Sequence, residues 1–80
     1  MPLSLELKQT VAQKFNNRCI IDFKPYYDIH HILPKSLGGT DDEDNLAPLC
    51  FDCHEKIHAS GSVNWVEYLI KLKEKRLDET

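Results

Sequence analysis

The chain has 80 residues, a length typical of one domain. Its formal net charge of −3 at pH 7 argues against the basic surface that a free-standing nucleic-acid binder usually carries. Because 29% of the residues are charged and no apolar run approaches the length of a membrane span, the composition predicts an intracellular, cytoplasmic protein with no membrane partner. Three cysteines are an odd number, which favours reduced, metal-binding thiols over a secreted disulfide scaffold.

The N-terminal part of the chain predicts a helix and a turn. Residues 4–17 have helical periodicity, and Ser4 is a suitable N-cap. The expected apolar stripe consists of Leu5, Val11, Ala12 and Phe15. Residues 18–25 predict a tight, knuckle-like turn that leads into the next element.

The middle of the chain predicts a hairpin. Residues 26–32 are aromatic and β-branched, which is typical of a strand. A polar loop with two glycines follows over residues 35–44. Residues 45–50 predict a second, short strand, in which Pro48 indicates an edge or irregular position.

The C-terminal part predicts two helices. Residues 51–59 form a short helix that Gly61 ends, and residues 63–77 form a longer helix capped by Ser62. The expected buried side of the longer helix consists of Val63, Val66, Leu69, Ile70, Leu72 and Leu77. The predicted fold is therefore α+β, a ββα unit flanked by N- and C-terminal helices, in a single domain over residues 1–80.

All four histidines lie between residues 28 and 58, as one adjacent pair and one pair four residues apart. His54 and His58 project from the same face of the short helix, so one divalent ion can contact both imidazoles. A third ligand must come from another element, and His30 on the facing strand is the best candidate. Three protein ligands leave coordination positions open, which is typical of catalytic metal sites.

The adjacent histidine, His31, points to the opposite face of a regular strand, so it is free to act as a general base. Asn45 lies in position to hydrogen-bond backbone or imidazole groups across the hairpin and to hold His31 in register. A divalent metal beside a positioned base is an arrangement that suits phosphodiester hydrolysis.

The chain resembles the HNH endonuclease family, whose core is a ββα-metal, treble-clef-like unit. The resemblance covers residues 18–58, about half of the chain, and rests on a His-His-Ile-x-Pro segment, a Gly-Gly pair, and an Asn-Leu-x-x-Leu-Cys-x-x-Cys-His-x-x-x-His segment. The matching residues are His30, His31, Ile32, Pro34, Gly38, Gly39, Asn45, Leu46, Leu49, Cys50, Cys53, His54 and His58.

The resemblance implies metal-dependent cleavage of DNA that leaves a 5′-phosphate and a 3′-hydroxyl. It implies that His30, His54 and His58 bind the catalytic ion, which is Mg²⁺, Mn²⁺, Ni²⁺ or Zn²⁺. It further implies that His31 is the base and that Asn45 orients it.

Many members of this family also hold a structural zinc ion between two Cys-x-x-Cys knuckles. Here Cys50 and Cys53 form the second knuckle, whereas the first reads Cys19-Ile-Ile-Asp22, with aspartate in place of a cysteine. Two outcomes are open: Asp22 completes a site of three cysteines and one aspartate, or the cysteines are buried as small apolar groups. We favour the zinc site, because three cysteines at the family's ligand positions would be an odd coincidence. Zinc binding would contribute directly to the folding of so small a domain.

Four basic residues flank the predicted site and are candidates for phosphate contacts: Arg18, Lys24, Lys35 and Lys56. The loop over residues 41–44 is entirely acidic and would repel DNA, so we expect it to stand away from the path of the phosphate backbone.

Two alternatives remain beside a DNA-cutting domain. A zinc-knuckle module that binds nucleic acid or protein without cutting is favoured by Asp22 and by the acidic charge, but binding alone needs no spare histidine. The chain is alternatively the nuclease module of a larger restriction, phage or defence protein, which would supply a partner domain. A homodimer would make double-strand cleavage natural.

Overall fold

The computed structural model describes residues 3–79, so the two N-terminal residues and the last residue of the predicted 1–80 domain lie outside it. The fold is α+β, as predicted, with three α-helices and one two-stranded antiparallel sheet. In chain order the elements are α1 (Leu5–Gln13), β1 (Asp28–His31), β2 (Leu46–Leu49), α2 (Phe51–Ser60) and α3 (Val66–Asp78). Between residues 3 and 79, no helix combines the length and the apolar character that crossing a bilayer requires.

Helix α1 begins as predicted but ends before its predicted boundary at residue 17. The Ser4 hydroxyl accepts a hydrogen bond from the Leu7 amide at 3.1 Å, which caps the first turn. The helix stops because Asn16 and Asn17 take positive φ angles of 58° and 60°, the left-handed conformation that asparagine tolerates. Of the predicted stripe, only Leu5 is exposed, since it lies in the first turn beyond the sheet.

The two strands pair in antiparallel register, with Ile29 opposite Pro48 and His30 opposite Ala47. Both are shorter than predicted, and β2 accommodates Pro48 within the pairing. The Pro48 carbonyl accepts a hydrogen bond from the Ile20 amide at 3.2 Å, so this carbonyl points away from β1 and toward the knuckle. A missing N–H therefore costs the sheet no hydrogen bond at this position.

The core lies between the sheet, the knuckle and the last two helices. Its largest fully buried side chains belong to the knuckle, the hairpin and both C-terminal helices; they include Ile20, Ile32, Leu49, Ile57 and Leu69. A smaller apolar cluster packs α1 against the other face of the hairpin. The larger cluster packs Ile57 of α2 against the hairpin, and these are the elements that carry the histidines.

The last helix differs from its prediction in both start and buried face. Ser62 does not cap it; a 3₁₀ turn over Ser62–Trp65 comes first, and α3 begins at Val66 without a side-chain cap. Leu69 is fully buried, whereas three other residues of the predicted buried side are exposed: Val63, Ile70 and Leu77. The aliphatic part of Lys73 occupies the buried face instead, and its ammonium group bonds to the Glu43 carbonyl.

Candidate functional site

Three histidines from two elements meet in one cluster. Strand β1 supplies His30, and one turn of α2 separates His54 from His58. Their ring centroids lie 4.4 to 5.9 Å apart, and the Nε2 atoms of His54 and His58 are separated by 3.2 Å. One nitrogen of each ring lies within 4.8 Å of the others, a spacing at which one ion can contact all three.

Burial keeps two members of this cluster neutral. Desolvation, together with the neighbouring His58, His54 and His31, lowers the pKa of His30 to about 4. Desolvation and His58 likewise lower the pKa of His54. At neutral pH the imidazoles of His30 and His54 therefore keep the lone pairs that a metal needs.

Two further observations fit a metal at this position. The Nε2 atom of His30 is buried and has no hydrogen-bond partner among the described residues. An unpartnered buried polar atom is costly, and a bound cation would satisfy it. The Nδ1 atom of His58 lies 3.4 Å from the Ser62 hydroxyl, which helps to hold the ring with Nε2 toward His54.

His31 lines the same cleft as the histidine cluster, although strand alternation predicts that it points the opposite way. The cleft has a volume of about 270 Å³ and also includes Pro34, Lys35 and Ser62 in its wall. Three consecutive residues of β1, Ile29, His30 and His31, line it, so both faces of the strand contribute to its wall. The His31 imidazole and the cluster of three imidazoles thus line one cleft.

Asp41 is a site residue that the sequence did not reveal. Its Oδ1 atom lies 2.8 Å from Nε2 of His31, so one side chain of the acidic loop contacts a residue that lines the cleft. The hydrogen bond from His31 lowers the pKa of Asp41, with a smaller contribution from Lys35. The only sequence signal for this contact was the acidic run itself, which we interpreted as repulsive.

Asn45 joins the two ends of the loop that follows β1. Its Oδ1 atom accepts a hydrogen bond from the Leu33 amide at 2.8 Å, and its Nδ2 atom donates to the carbonyls of Leu33 and Thr40 at 3.1 and 2.9 Å. The sequence left two kinds of hydrogen-bond partner open for Asn45, backbone groups and an imidazole. The partners in the structure are backbone groups and not the imidazole of His31. Asn45 therefore shapes the backbone immediately after His31.

Gly39 allows this loop to close. A Cβ atom built on Gly39 would lie 1.8 Å from the Leu33 carbonyl oxygen, well inside contact distance. The Gly39 amide also donates to the Pro34 carbonyl at 3.0 Å. A side chain at this position would push the loop away from the strand that carries His31.

The second cluster combines three thiols with one carboxylate. Cys19, Asp22, Cys50 and Cys53 place one ligand atom each within 4.8 Å of the others. The Asp22 Oδ2 atom lies 3.2 Å from the Cys50 sulfur and 3.5 Å from that of Cys53. The donor set, with carboxylate oxygen and thiolate sulfur, suits a tetrahedral zinc ion.

Local hydrogen bonds also favour thiolates in this cluster. The sulfur of Cys19 accepts from the Ile21 amide at 3.4 Å, and that of Cys50 accepts from the Cys53 amide at 3.5 Å. Burial raises the pKa of the Cys19 and Cys53 thiols, so without a cation they stay protonated. Burial alone would raise the pKa of Asp22, but hydrogen bonds from the Lys24 amide and from the thiols outweigh it and lower this pKa.

The structure separates the four predicted phosphate-binding residues. Only Lys35 lines the histidine cleft, where its ammonium group lies 3.4 Å from Asp41. Arg18 donates to the Phe23 carbonyl at 3.0 Å and lines a different cleft. Lys24 lies 3.7 Å from Asp52, and Lys56 lies 6.0 Å from the centre of the Trp65 ring.

The sequence of the chain is similar to a protein-family model and to known proteins. A family model described as HNH endonuclease matches residues 17–60. The chain is 34% identical over 58 residues to the type IV methyl-directed restriction enzyme EcoKMcrA of Escherichia coli strain K12, and the match covers 72% of this chain but 21% of that enzyme. It is 49% identical over 35 residues to the probable mobile endonuclease C of Enterobacteria phage T4, a match that covers 44% of this chain and 17% of that protein. The matches thus span about a fifth of the length of these two relatives.

Proposed function

Since the chain belongs to the HNH endonuclease family, we propose that it is a metal-dependent endonuclease that hydrolyses phosphodiester bonds in DNA. The observation that carries this proposal is the cleft in which His31 stands beside the cluster of His30, His54 and His58. The cluster supplies three imidazole ligands, and His31 remains outside it as a base. Both relatives are named as nucleases, which supports DNA as the substrate class.

In the proposed site, His30, His54 and His58 hold one divalent ion, which is Mg²⁺, Mn²⁺, Ni²⁺ or Zn²⁺. When bound, such an ion supplies Lewis-acid polarisation of the phosphate and charge stabilisation at the leaving oxygen. The low pKa of His30 favours its role, because a buried neutral imidazole need not lose a proton to bind a cation.

In the proposed reaction, His31 accepts a proton from water as the water oxygen forms a bond to phosphorus. The bond between phosphorus and the 3′ oxygen breaks, and that oxygen takes a proton from solvent. The products are a 5′-phosphate and a 3′-hydroxyl, and His31 then returns its proton to solvent. Asn45 contributes by fixing the backbone after His31 through Leu33, and Lys35 is placed to contact the phosphate.

A separate zinc ion is proposed at Cys19, Asp22, Cys50 and Cys53, where it stabilises the fold. Cys50 caps α2 and Cys53 lies in its first turn, so an ion at this position fixes the helix that carries His54 and His58. This zinc would connect the knuckle to the helix, in a chain whose apolar core is small.

We propose residues 1–80 as one nuclease domain that acts alone, as a homodimer, or within a larger restriction, phage or defence protein. A partner domain is one of these arrangements because the chain matches only about a fifth of the length of each relative. Because the chain has a net charge of −3, affinity for DNA would depend on local basic groups, on the bound ion, or on such a partner.

The test is a plasmid cleavage assay. Purified protein is incubated with supercoiled plasmid and Mg²⁺, Mn²⁺, Ni²⁺ or Zn²⁺, beside a His31→Ala variant and a chelator control. We expect nicked or linear product that requires both the metal and His31, with metal binding retained in the variant. Intact plasmid with folded, metal-loaded wild-type protein would favour the non-cutting zinc-knuckle module, which the acidic charge also favours.

A further inference from the structure

His31 and Asp41 form a hydrogen-bonded pair at the edge of the histidine cleft. The Nε2 atom of His31 lies 2.8 Å from the Asp41 Oδ1 atom, and 23% of the His31 side chain is exposed. An ionised carboxylate can only accept, so the imidazole must carry its proton on Nε2. In the neutral ring this leaves Nδ1 as the basic nitrogen.

The backbone holds Asp41 in place from both sides. Immediately before it, the Thr40 carbonyl accepts a hydrogen bond from Asn45, and Gly39 is fixed by the Pro34 carbonyl. Immediately after it, the Asp42 amide lies 3.4 Å from the Thr40 hydroxyl. The position of the carboxylate is thus set by the closure of the loop.

Lys35 is a second neighbour of the same carboxylate. Its ammonium nitrogen lies 3.4 Å from both oxygens of Asp41, while Oδ1 accepts from His31. The positive charge of the lysine offsets the negative charge of Asp41 beside the cleft in which we propose that phosphate binds. Asp41 therefore has one cationic neighbour and one imidazole neighbour, both from residues that line the cleft.

We propose that Asp41 is the positioning residue of the general base. It holds His31 in the tautomer with hydrogen on Nε2, so that Nδ1 receives the proton from water, and it stabilises the imidazolium that results. This inference rests on the proposed function and deepens it. A carboxylate that orients a catalytic imidazole acts on the rate of the chemical step and leaves substrate affinity unchanged.

The kinetic test compares Asp41→Ala with a matched control, Asp42→Ala, which removes the same charge from the adjacent residue without touching His31. We expect Asp41→Ala to lower kcat for plasmid nicking roughly tenfold with little change in KM, a smaller loss than the ~100-fold or more contributed by a general base itself. Asp41→Asn, which keeps an acceptor oxygen, should give an intermediate kcat. Equal kcat values for the two alanine variants would overturn the inference.

A spectroscopic test is independent of cleavage. In Zn²⁺-loaded protein at about pH 8, where an ordinary imidazole is neutral, ¹⁵N NMR distinguishes the two tautomers of His31. We expect the Nε2–H form in the wild type and in Asp42→Ala, and a mixture in Asp41→Ala. Unchanged tautomer populations in Asp41→Ala would overturn the positioning role even if its kcat fell. If the wild type cuts no DNA, the proposed function fails, and this spectrum still decides whether Asp41 orients His31.

Discussion

The Asp22 carboxylate lies 3.2 Å from the Cys50 sulfur, where the second cysteine of a complete first knuckle would stand. The chain thus replaces one thiol of the expected set with an oxygen donor while keeping the donors together. Zinc binds both kinds of donor, but a thiolate is the softer ligand and gives structural sites their usual composition.

We therefore expect Asp22→Cys to tighten zinc binding and raise thermal stability. A tenfold gain in affinity corresponds to about 1.4 kcal/mol, which raises Tm by roughly 5–10 °C in a domain of this size. Thermal melting with zinc and with chelator, plus competition against a zinc indicator, measures both effects. Asp22→Ala is the matched control and should weaken binding. A melting point of Asp22→Cys that equals the wild type in both zinc and chelator would contradict a metal at this cluster.

The buried histidine predicts a pH dependence for the metal-free protein. The pKa of His30 is about 4 in the folded state, below its ordinary value of 6.5, so the unfolded chain binds the proton more readily. The stability that depends on neutral His30 is complete above pH 6.5 and is lost as the pH falls from about 6.5 to about 4. A lowering of the pKa from 6.5 to about 4 corresponds to about 3 kcal/mol. Urea unfolding of the metal-free protein between pH 4 and 7 measures it.

His30→Phe provides the control for that experiment, because it keeps an aromatic ring at the buried position and removes the titrating group. Its free energy of unfolding should vary less with pH over the same range. If the wild type and His30→Phe showed parallel pH profiles, another group would be responsible for the acid sensitivity.

The contrast between Leu69 and Ile70 tests how α3 packs. Leu69 is fully buried, whereas Ile70 is 44% exposed, although the sequence placed both on the buried side. We expect Leu69→Ala to cost about 2–4 kcal/mol of unfolding free energy through the cavity it leaves. Ile70→Ala should cost less than ~1 kcal/mol. Chemical denaturation of both variants measures the difference in unfolding free energy. Equal losses would show that Leu69 and Ile70 are both on the buried side of α3, as the sequence predicted.

The two glycines of the loop should respond differently to alanine. At Gly38 a Cβ atom meets nothing within 4 Å, but the φ angle of 92° costs an L-residue about 1 kcal/mol. At Gly39 the Cβ atom collides with the Leu33 backbone, so the loop must move. We expect Gly39→Ala to lose more stability than Gly38→Ala and also to lower plasmid nicking. A Gly39→Ala protein as stable and active as Gly38→Ala would refute the tight closure of this loop.

Much of this architecture follows from local sequence patterns. The helical spacing of His54 and His58 and the capping chemistry of Ser4 are short-range features, so elements of the right type were predicted in the right order. The family motif also predicted that these elements form an α+β core. Element ends were less accurate; α1, for example, ends where Asn16 and Asn17 take a left-handed backbone conformation that helical periodicity does not encode.

The features that were missed depend on contacts between distant residues. The buried face of α3 includes Lys73 and not Ile70, so Ile70 was wrongly placed in the core. The contact between Asp41 and His31 requires Gly39 and Asn45 to bring the loop back onto the strand. In the sequence the same aspartate is only one member of an acidic run, and repulsion of DNA was the simpler interpretation.

Cys53 and His54 are consecutive residues, yet the first belongs to the sulfur cluster and the second to the imidazole cluster. Helix α2 therefore connects the two clusters, and a rotation of the helix that displaces one set of side chains displaces the other. We expect alkylation or oxidation of the thiols to shift the imidazole resonances without any reagent entering the cleft. The geometry of the proposed catalytic site would then depend on the redox state of the cysteines.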